Sequence, residues 1–267
     1  MAPVRANTAT VNGITLTYSD TGGDGPAVVF SHGYLMDSSM FDPQVAELAP
    51  EYRVVTWDER GHGGTPATGP FSYWDSAADV LGLLDHLGIG QAVLAGMSQG
   101  GFVSMRAAML APDRVRGLIL IDTQAGLEDP AVVPAYEEME RIWYEQGPEP
   151  VRDIVASIIL GPPDGTVDYA PWFAKWDQVD RDKMVFAFRC LIDRDDITGR
   201  LGEITCPALI LHGTADAAIP MAKAETLQAG LAGTATLVQV EGGSHAANLS
   251  NPDQANAAIL EFLRSLP

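Results

Sequence analysis

The stretch Ala92-Val93-Leu94-Ala95-Gly96-Met97-Ser98-Gln99-Gly100 decides the fold predicted for this chain. An apolar run ends in Gly-x-Ser-x-Gly, and a helix-like stretch over 101–110 follows. This pattern is typical of a nucleophile elbow, a turn so sharp that only glycine tolerates the crowding beside the serine. The turn exposes the hydroxyl at a helix N-terminus, where backbone N–H groups can stabilise a developing oxyanion. The motif therefore predicts Ser98 as a nucleophile and the backbone N–H of Gln99 as an oxyanion donor.

Composition bounds the class of protein and its partners. A chain of 267 residues with 46% hydrophobic residues suits one α/β domain with an insertion. The net charge of −19 predicts that neither nucleic acid nor an anionic membrane is a partner. No apolar run approaches the length of a membrane span, and the N-terminus lacks an apolar secretory core, so a cytoplasmic location is expected. The oligomeric state is left open.

The two cysteines, Cys190 and Cys206, do not suggest a disulfide framework, and we interpret them as ordinary thiols. The segment 89–107 around Ser98 contains no histidine and no cysteine, hence no metal-ligand cluster. The sequence therefore predicts neither a metal nor an organic cofactor.

Apolar runs alternate with helical periods, which is the pattern of an α/β fold: a mostly parallel sheet covered on both faces. Strands are predicted at 14–18, 27–31, 54–57, 92–95, 118–121, 208–211 and 236–240. Helices are predicted at 40–48, 74–87, 100–110, 221–230 and 252–266.

The alternation fails once, between 127 and about 200, where amphipathic helical material replaces strands. We therefore predict a core domain of residues 1–127 and 201–267 and a helical cap (lid) of residues 128–200. Aromatic side chains of the cap can form its own core or line a pocket beneath it. The predicted pocket residues are Trp143, Trp172, Trp176 and Phe186 from the cap, together with His32 from the core.

A serine hydroxyl needs a base, and the base needs an orienting acid. His245 follows the last predicted strand and is therefore expected at the same sheet edge as Ser98. The other histidines are assigned structural positions: His32, His62, His86 and His212.

Two aspartates are candidates for the orienting acid. Asp216 follows the penultimate strand, and the order Ser98, Asp216, His245 is the one expected for an elbow of this kind. Asp122 ends the strand after the nucleophile helix and could also reach the histidine, or it could cap the loop that enters the cap. We favour Asp216 and keep Asp122 as the alternative.

A second oxyanion donor is predicted in the loop after the strand at 27–31. In Phe30-Ser31-His32-Gly33-Tyr34, the glycine lets the backbone approach a substrate closely. The backbone N–H of Tyr34 is therefore paired with that of Gln99.

These motifs resemble the α/β-hydrolase superfamily over essentially the whole chain. The resemblance rests on His32-Gly33, on Asp58-Glu59-Arg60-Gly61-His62-Gly63, on the elbow, and on the loops of Asp216 and His245. It is strongest to the branch of esterases, enol-lactonases and cofactor-free haloperoxidases. The stretch Cys190-Leu191-Ile192-Asp193-Arg194-Asp195-Asp196 is similar to the cap-to-core junction of 3-oxoadipate enol-lactonases. One departure is Gln99, where glycine is commoner.

The resemblance implies a serine hydrolase that cleaves a small carboxylic ester or lactone through an acyl-enzyme. Perhydrolysis and carbon–carbon bond hydrolysis use the same three residues, and a ligand receptor can retain them, so these remain alternatives. Arg189 and Arg194 could contact a substrate carboxylate or could simply be solvated cations.

Overall fold

Eight strands form one sheet in the computed structural model, which describes residues 7–267. They are β1 (Asn7–Val11), β2 (Ile14–Asp20), β3 (Ala27–Ser31), β4 (Arg53–Trp57), β5 (Ala92–Met97), β6 (Val115–Ile121), β7 (Ala208–Gly213) and β8 (Ala235–Val240). Their order across the sheet is β1-β2-β4-β3-β5-β6-β7-β8. The two pairings of β2, with β1 and with β4, are antiparallel, and every later pairing is parallel. The predicted α/β fold class is thereby confirmed.

The strand β1 was not predicted from the sequence. It pairs with β2 through the turn Asn12-Gly13, in which both residues have positive φ, 48° and 80°. Asn-Gly is the commonest pair in such two-residue hairpins because both residues tolerate this conformation. The signal was therefore present, in a segment whose other residues are mostly polar or small.

Beside three short 3-10 helices, residues 7–267 contain ten α-helices. They are α1 (Asp42–Leu48), α2 (Tyr73–His86), α3 (Gln99–Leu110), α4 (Val133–Gln146), α5 (Arg152–Leu160), α6 (Ala170–Trp176), α7 (Arg181–Ile192), α8 (Met221–Gly230), α9 (Ala247–Ser250) and α10 (Pro252–Ser265). Within this described part of the chain, no helix has the length and apolar character needed to cross a membrane.

Two hydrophobic clusters cover the two faces of the sheet. Val29 of β3 belongs to one cluster, with residues of α2, α3 and α8, whereas its neighbours Val28 and Phe30 belong to the other, with residues of α1 and α10. Successive strand residues point to opposite faces. Both faces of β3 are therefore buried, as its unbroken apolar sequence requires.

The helices α4 to α7 lie between β6 and β7 in the chain, and no strand interrupts them. Most of their buried side chains, among them Trp143, Trp176 and Met184, join the cluster that contains α1 and α10, whereas Cys190 of α7 belongs to the other cluster. The division into a core of 1–127 and 201–267 and a cap of 128–200 stays a prediction.

The carboxyl ends of the parallel strands meet at one edge of the sheet. Ser98 follows β5 directly, and the loop that contains Asp216 follows β7. The loop that contains His245 follows β8. The topology therefore brings these three segments together at one edge.

Candidate active site

The turn that carries Ser98 has the strained backbone of an elbow. Ser98 adopts φ 51° and ψ −114°, and the hydroxyl of Thr123 donates to its carbonyl oxygen at 2.7 Å. A Cβ on Gly96 would lie 2.0 Å from the carbonyl oxygen of Gly100, and a Cβ on Gly100 would lie 1.9 Å from that of Ser31. Both glycines are therefore required by close backbone contact.

Ser98, His245 and Asp216 form a continuous chain of hydrogen bonds. Nε2 of His245 lies 3.1 Å from Oγ of Ser98, and Nδ1 lies 3.0 Å from Oδ2 of Asp216. The other carboxylate oxygen accepts the backbone N–H groups of Ala218 and Ile219. With Nδ1–H donated to Asp216, Nε2 is left as an acceptor for the serine hydroxyl. The geometry is that of a nucleophile beside an oriented base.

The electrostatics of the pair favour a charged imidazolium. Burial by itself would lower the pKa of His245, but the carboxylate of Asp216 outweighs burial and raises that pKa above its usual value. Burial would likewise raise the pKa of Asp216, but the charge and hydrogen bond of His245 keep it below its usual range. Asp216 thus stays ionised and stabilises the proton that His245 would accept.

Asp122, the alternative acid, is fully buried and hydrogen-bonded to backbone. Its Oδ1 accepts the N–H of Gly213 at 2.7 Å, and its Oδ2 accepts the N–H of Ala247 at 3.0 Å. Burial, reinforced by the charge of Asp216, raises its pKa well above the usual value. Asp122 therefore ties the end of β7 to the start of α9, and Asp216 is the carboxylate that bonds to His245.

His212 lies between the two carboxylates, and ligand atoms of Asp122, His212 and Asp216 are all within 4.8 Å of one another. Nε2 of His212 donates to the carbonyl oxygen of Ile219 at 2.8 Å, and burial lowers the pKa of this imidazole. The two carboxylates have the partners already described. The cluster is therefore a hydrogen-bonded support for the loop of Asp216.

Two backbone N–H groups near Ser98 are available to an oxyanion. Within residues 7–267 the N–H groups of Tyr34 and Gln99 have no protein acceptor. The loop before Tyr34 is held by His32, whose Nδ1–H donates to the carbonyl oxygen of Gly33 at 2.8 Å while Nε2 accepts the N–H of Glu59 at 2.9 Å. Burial lowers the pKa of His32, so the imidazole stays neutral in this role.

The side chain of Gln99 does not enter the cavity in front of Ser98. It is 2% exposed, and its Oε1 accepts the hydroxyl of Tyr73 at 3.1 Å. The glutamine side chain at this position, where glycine is commoner, therefore packs away from the cavity and behind the nucleophile.

A cavity with a mostly apolar lining opens in front of Ser98 and His245. Aromatic rings and thioethers form much of its surface beside aliphatic side chains, and they come from Tyr34, Met97, Tyr136, Met139, Trp143, Met184 and Phe188. Its carboxylates are those of Glu128 and Glu140. A concave, mostly apolar cavity with a few polar groups suits a small organic substrate.

Of the five predicted pocket residues, only Trp143 lines this cavity. The indole of Trp176 donates to the carbonyl oxygen of Leu35, and Trp172 lies under the ammonium of Lys175 at 4.4 Å. His32 is fully buried among backbone partners. Trp172, Trp176 and His32 were predicted to line the pocket, but in the structure they do not line the cavity in front of Ser98.

Phe186 is also not part of the lining, and Phe188 takes its place. On α7, the residues that reach the cavity are Met184, Phe188 and Leu191, spaced by four and three. This spacing marks one face of a helix, and Phe186 lies off that face. The helical period around Met184 was a signal that could have selected Phe188.

The two arginines considered for a substrate carboxylate lie outside the lining. Arg189 is exposed and pairs with Glu137 at 3.4 Å. Arg194 is buried and pairs with Glu128 at 2.9 Å. Both guanidinium groups are therefore paired with a glutamate, and neither lines the cavity.

The remaining reactive side chains are protected by burial. Burial raises the pKa of the Cys190 thiol, and it raises that of Cys206 to about 11. Both cysteines are free thiols. Burial lowers the pKa of His62 to about 3, and its ring contacts that of His32 edge-on. These groups are therefore neutral at pH 7.

The chain is similar to known proteins in both sequence and fold. A family model described as "alpha/beta hydrolase fold" matches residues 26–156, and a model described as "TAP-like protein" matches residues 193–266. The chain is 28% identical to 3-oxoadipate enol-lactonase 2 of Acinetobacter baylyi, over 95% of this chain and 94% of that protein. It is 29% identical to a non-heme chloroperoxidase of Streptomyces lividans, over 96% and 98% of the two chains. The crystal structure of the enol-lactonase from Burkholderia xenovorans LB400 superposes with a TM-score of 0.86 at 31% identity, covering 97% of this chain and all of that one.

Proposed function

We propose, from the premise that this chain is a hydrolase belonging to the alpha/beta hydrolase fold family, that it cleaves small carboxylic esters or lactones through an acyl-enzyme on Ser98. The observation that carries the proposal is the pair of hydrogen bonds at His245. Nε2 lies 3.1 Å from Oγ of Ser98, and Nδ1 lies 3.0 Å from Oδ2 of Asp216.

In the proposed first step, Oγ of Ser98 attacks the substrate carbonyl carbon while Nε2 of His245 takes the hydroxyl proton. The carbonyl oxygen becomes an oxyanion, which accepts the N–H groups of Tyr34 and Gln99. The tetrahedral species collapses, the C–O bond to the leaving alcohol breaks, and His245 returns the proton to that oxygen. In a lactone the leaving oxygen stays attached to the acyl chain.

In the second step, water attacks the acyl-enzyme and gives a proton to His245. The bond between the acyl carbon and Oγ then breaks, and the same proton returns to Ser98. Asp216 stays ionised throughout and orients the imidazole. A small ester or lactone is the substrate class favoured by the apolar cavity and by relatives that are named enol-lactonases.

Replacement of Ser98 by alanine tests the proposal. With 4-nitrophenyl acetate and butyrate, kcat should fall by at least about 10³-fold, since loss of the nucleophile removes the acyl-enzyme route. Ser104→Ala is a matched control, because this serine is buried on α3 and its hydroxyl donates only to the carbonyl oxygen of Gly100. A fluorophosphonate should label Ser98 and no other residue. Undiminished turnover of Ser98→Ala would reject the proposal.

Perhydrolysis is a second candidate, favoured by the similarity to the non-heme chloroperoxidase of Streptomyces lividans. Hydrogen peroxide would then replace water in the second step and release a peracid. Peroxide-dependent bromination in acetate buffer, abolished in Ser98→Ala, would support this activity. Ester hydrolysis without any bromination would support hydrolysis and reject perhydrolysis.

A further inference from the structure

The ionisable side chains that line the cavity in front of Ser98 are mostly acidic. Among the described residues that line it, His245 is the only side chain able to carry positive charge. Two carboxylates, those of Glu128 and Glu140, line the same cavity. The rest of the surface is almost entirely apolar or aromatic.

The nearest buried cation is already neutralised. Nη2 of Arg194 donates to Glu128 at 2.9 Å and to the carbonyl oxygen of Gly126 at 2.9 Å, and Nη1 donates to the carbonyl oxygen of Leu191 at 2.6 Å. The side chain of Arg194 is 2% exposed. Arg194 does not line the cavity, and it would have to break the pair with Glu128 to bind a substrate carboxylate.

Glu140 has no such partner. Within residues 7–267 its carboxylate makes neither a hydrogen bond nor an ion pair. It is half-buried, and burial raises its pKa, with Arg189 opposing that effect only through its charge at a distance. Glu140 thus lines the cavity as an unpaired acidic group, which repels negative charge when it is ionised.

We infer, on the basis of the proposed function, that this cavity selects uncharged acyl groups and rejects esters and lactones whose acyl chain ends in a carboxylate. A substrate carboxylate that binds in this cavity would lose its hydration without gaining a counter-ion. It would also lie near the negative charge of Glu140, in surroundings where charges interact more strongly than in water. The substrate class thereby differs from that of the relative named for the enol-lactone of 3-oxoadipate.

A pair of esters with the same acyl length tests the inference. 4-Nitrophenyl butyrate ends in a methyl group, and mono-(4-nitrophenyl) succinate ends in a carboxylate. At pH 7.5 the wild-type kcat/KM for the succinate ester should be about 100-fold lower, because the charge is desolvated without a partner. Equal kcat/KM values would overturn the inference and leave the proposed function intact. Hydrolysis of the butyrate ester that survives in Ser98→Ala would instead overturn the proposed function.

Variants identify the cause of the discrimination. Glu128→Gln removes the partner of Arg194, and Glu140→Gln removes the unpaired carboxylate. Each variant should raise the kcat/KM for the succinate ester, relative to that for the butyrate ester, by about tenfold. Glu138→Gln is the matched control, since this exposed residue of α4 pairs with Arg141 and does not line the cavity. It should leave the ratio unchanged. An unchanged ratio in both Glu128→Gln and Glu140→Gln would also overturn the inference.

Discussion

The indole Nε1 of Trp176 donates to the carbonyl oxygen of Leu35 across 2.6 Å. This bond joins α6 to the loop that supplies the N–H of Tyr34. The ammonium of Lys175 adds a second link, to Oδ1 of Asp37 at 2.8 Å. Leu35 itself has a positive φ of 61°, a conformation that a branched side chain rarely adopts without external support. These contacts of α6 therefore help to hold the backbone of the loop that follows β3.

Trp176→Phe should lower kcat/KM for 4-nitrophenyl butyrate about tenfold. The change leaves the Leu35 carbonyl without its partner, a loss of roughly 1–3 kcal/mol for a buried group. Trp172→Phe on the same helix is the control, because its indole makes no hydrogen bond within residues 7–267. Equal losses in the two variants would show that packing, and not the hydrogen bond, matters.

The pH profile of kcat/KM should report the pair of Asp216 and His245. Activity requires neutral His245, so kcat/KM rises as the pH increases through the pKa of that imidazole. Because that pKa is raised, the midpoint should lie above the usual value of about 6.5. In Asp216→Asn, burial acts without the carboxylate, and the midpoint should move down while kcat falls on the order of 10⁴-fold. A midpoint that does not move would contradict the assignment of Asp216.

Asp122→Asn should affect stability more than catalysis. The amide group would present a donor to the N–H of either Gly213 or Ala247, where the carboxylate now accepts both. We expect the free energy of unfolding in urea to fall by about 2 kcal/mol, the scale of one hydrogen bond to a charged group. The loss of kcat at 25 °C should be far smaller than in Asp216→Asn. The reverse order of the two losses would restore Asp122 as the orienting acid.

Gly100→Ala should destabilise the fold by about 3 kcal/mol or more, since its Cβ would overlap the carbonyl oxygen of Ser31 and neither backbone can retreat alone. Gly90→Ala is the matched control, because a Cβ there meets nothing within 4 Å and its φ is not positive. Thermal unfolding of the two variants makes the comparison. Similar melting temperatures would contradict the close packing of the elbow.

Much of the fold is predictable from the sequence because the central strands are buried on both sides. The run at 118–121 marks the C-terminal half of β6, although the strand begins earlier, at Val115. β1 escapes this criterion, because only Ala9 and Val11 of its residues are buried. At the site, Ser98, Asp216 and His245 can be selected because each follows a strand at the same sheet edge.

The pocket lining is much less predictable, since it depends on how the helices α4 to α7 rotate and pack. Composition indicates that aromatic side chains are present in this segment, but not which of them face Ser98. Trp176 satisfies its indole on a loop carbonyl, whereas Trp143 reaches the cavity. Tertiary packing determines which tryptophan faces the cavity, and the local sequence of α6 does not indicate it.

The thioethers of Met97, Met139 and Met184 form part of the wall around the nucleophile. Oxidants convert methionine into its sulfoxide, which adds a polar oxygen to an apolar side chain. Each such oxidation here would make the cavity in front of Ser98 more polar and change its shape. Prolonged exposure to hydrogen peroxide would therefore inactivate the protein gradually through these methionines. A methionine sulfoxide reductase would be needed to restore the thioethers.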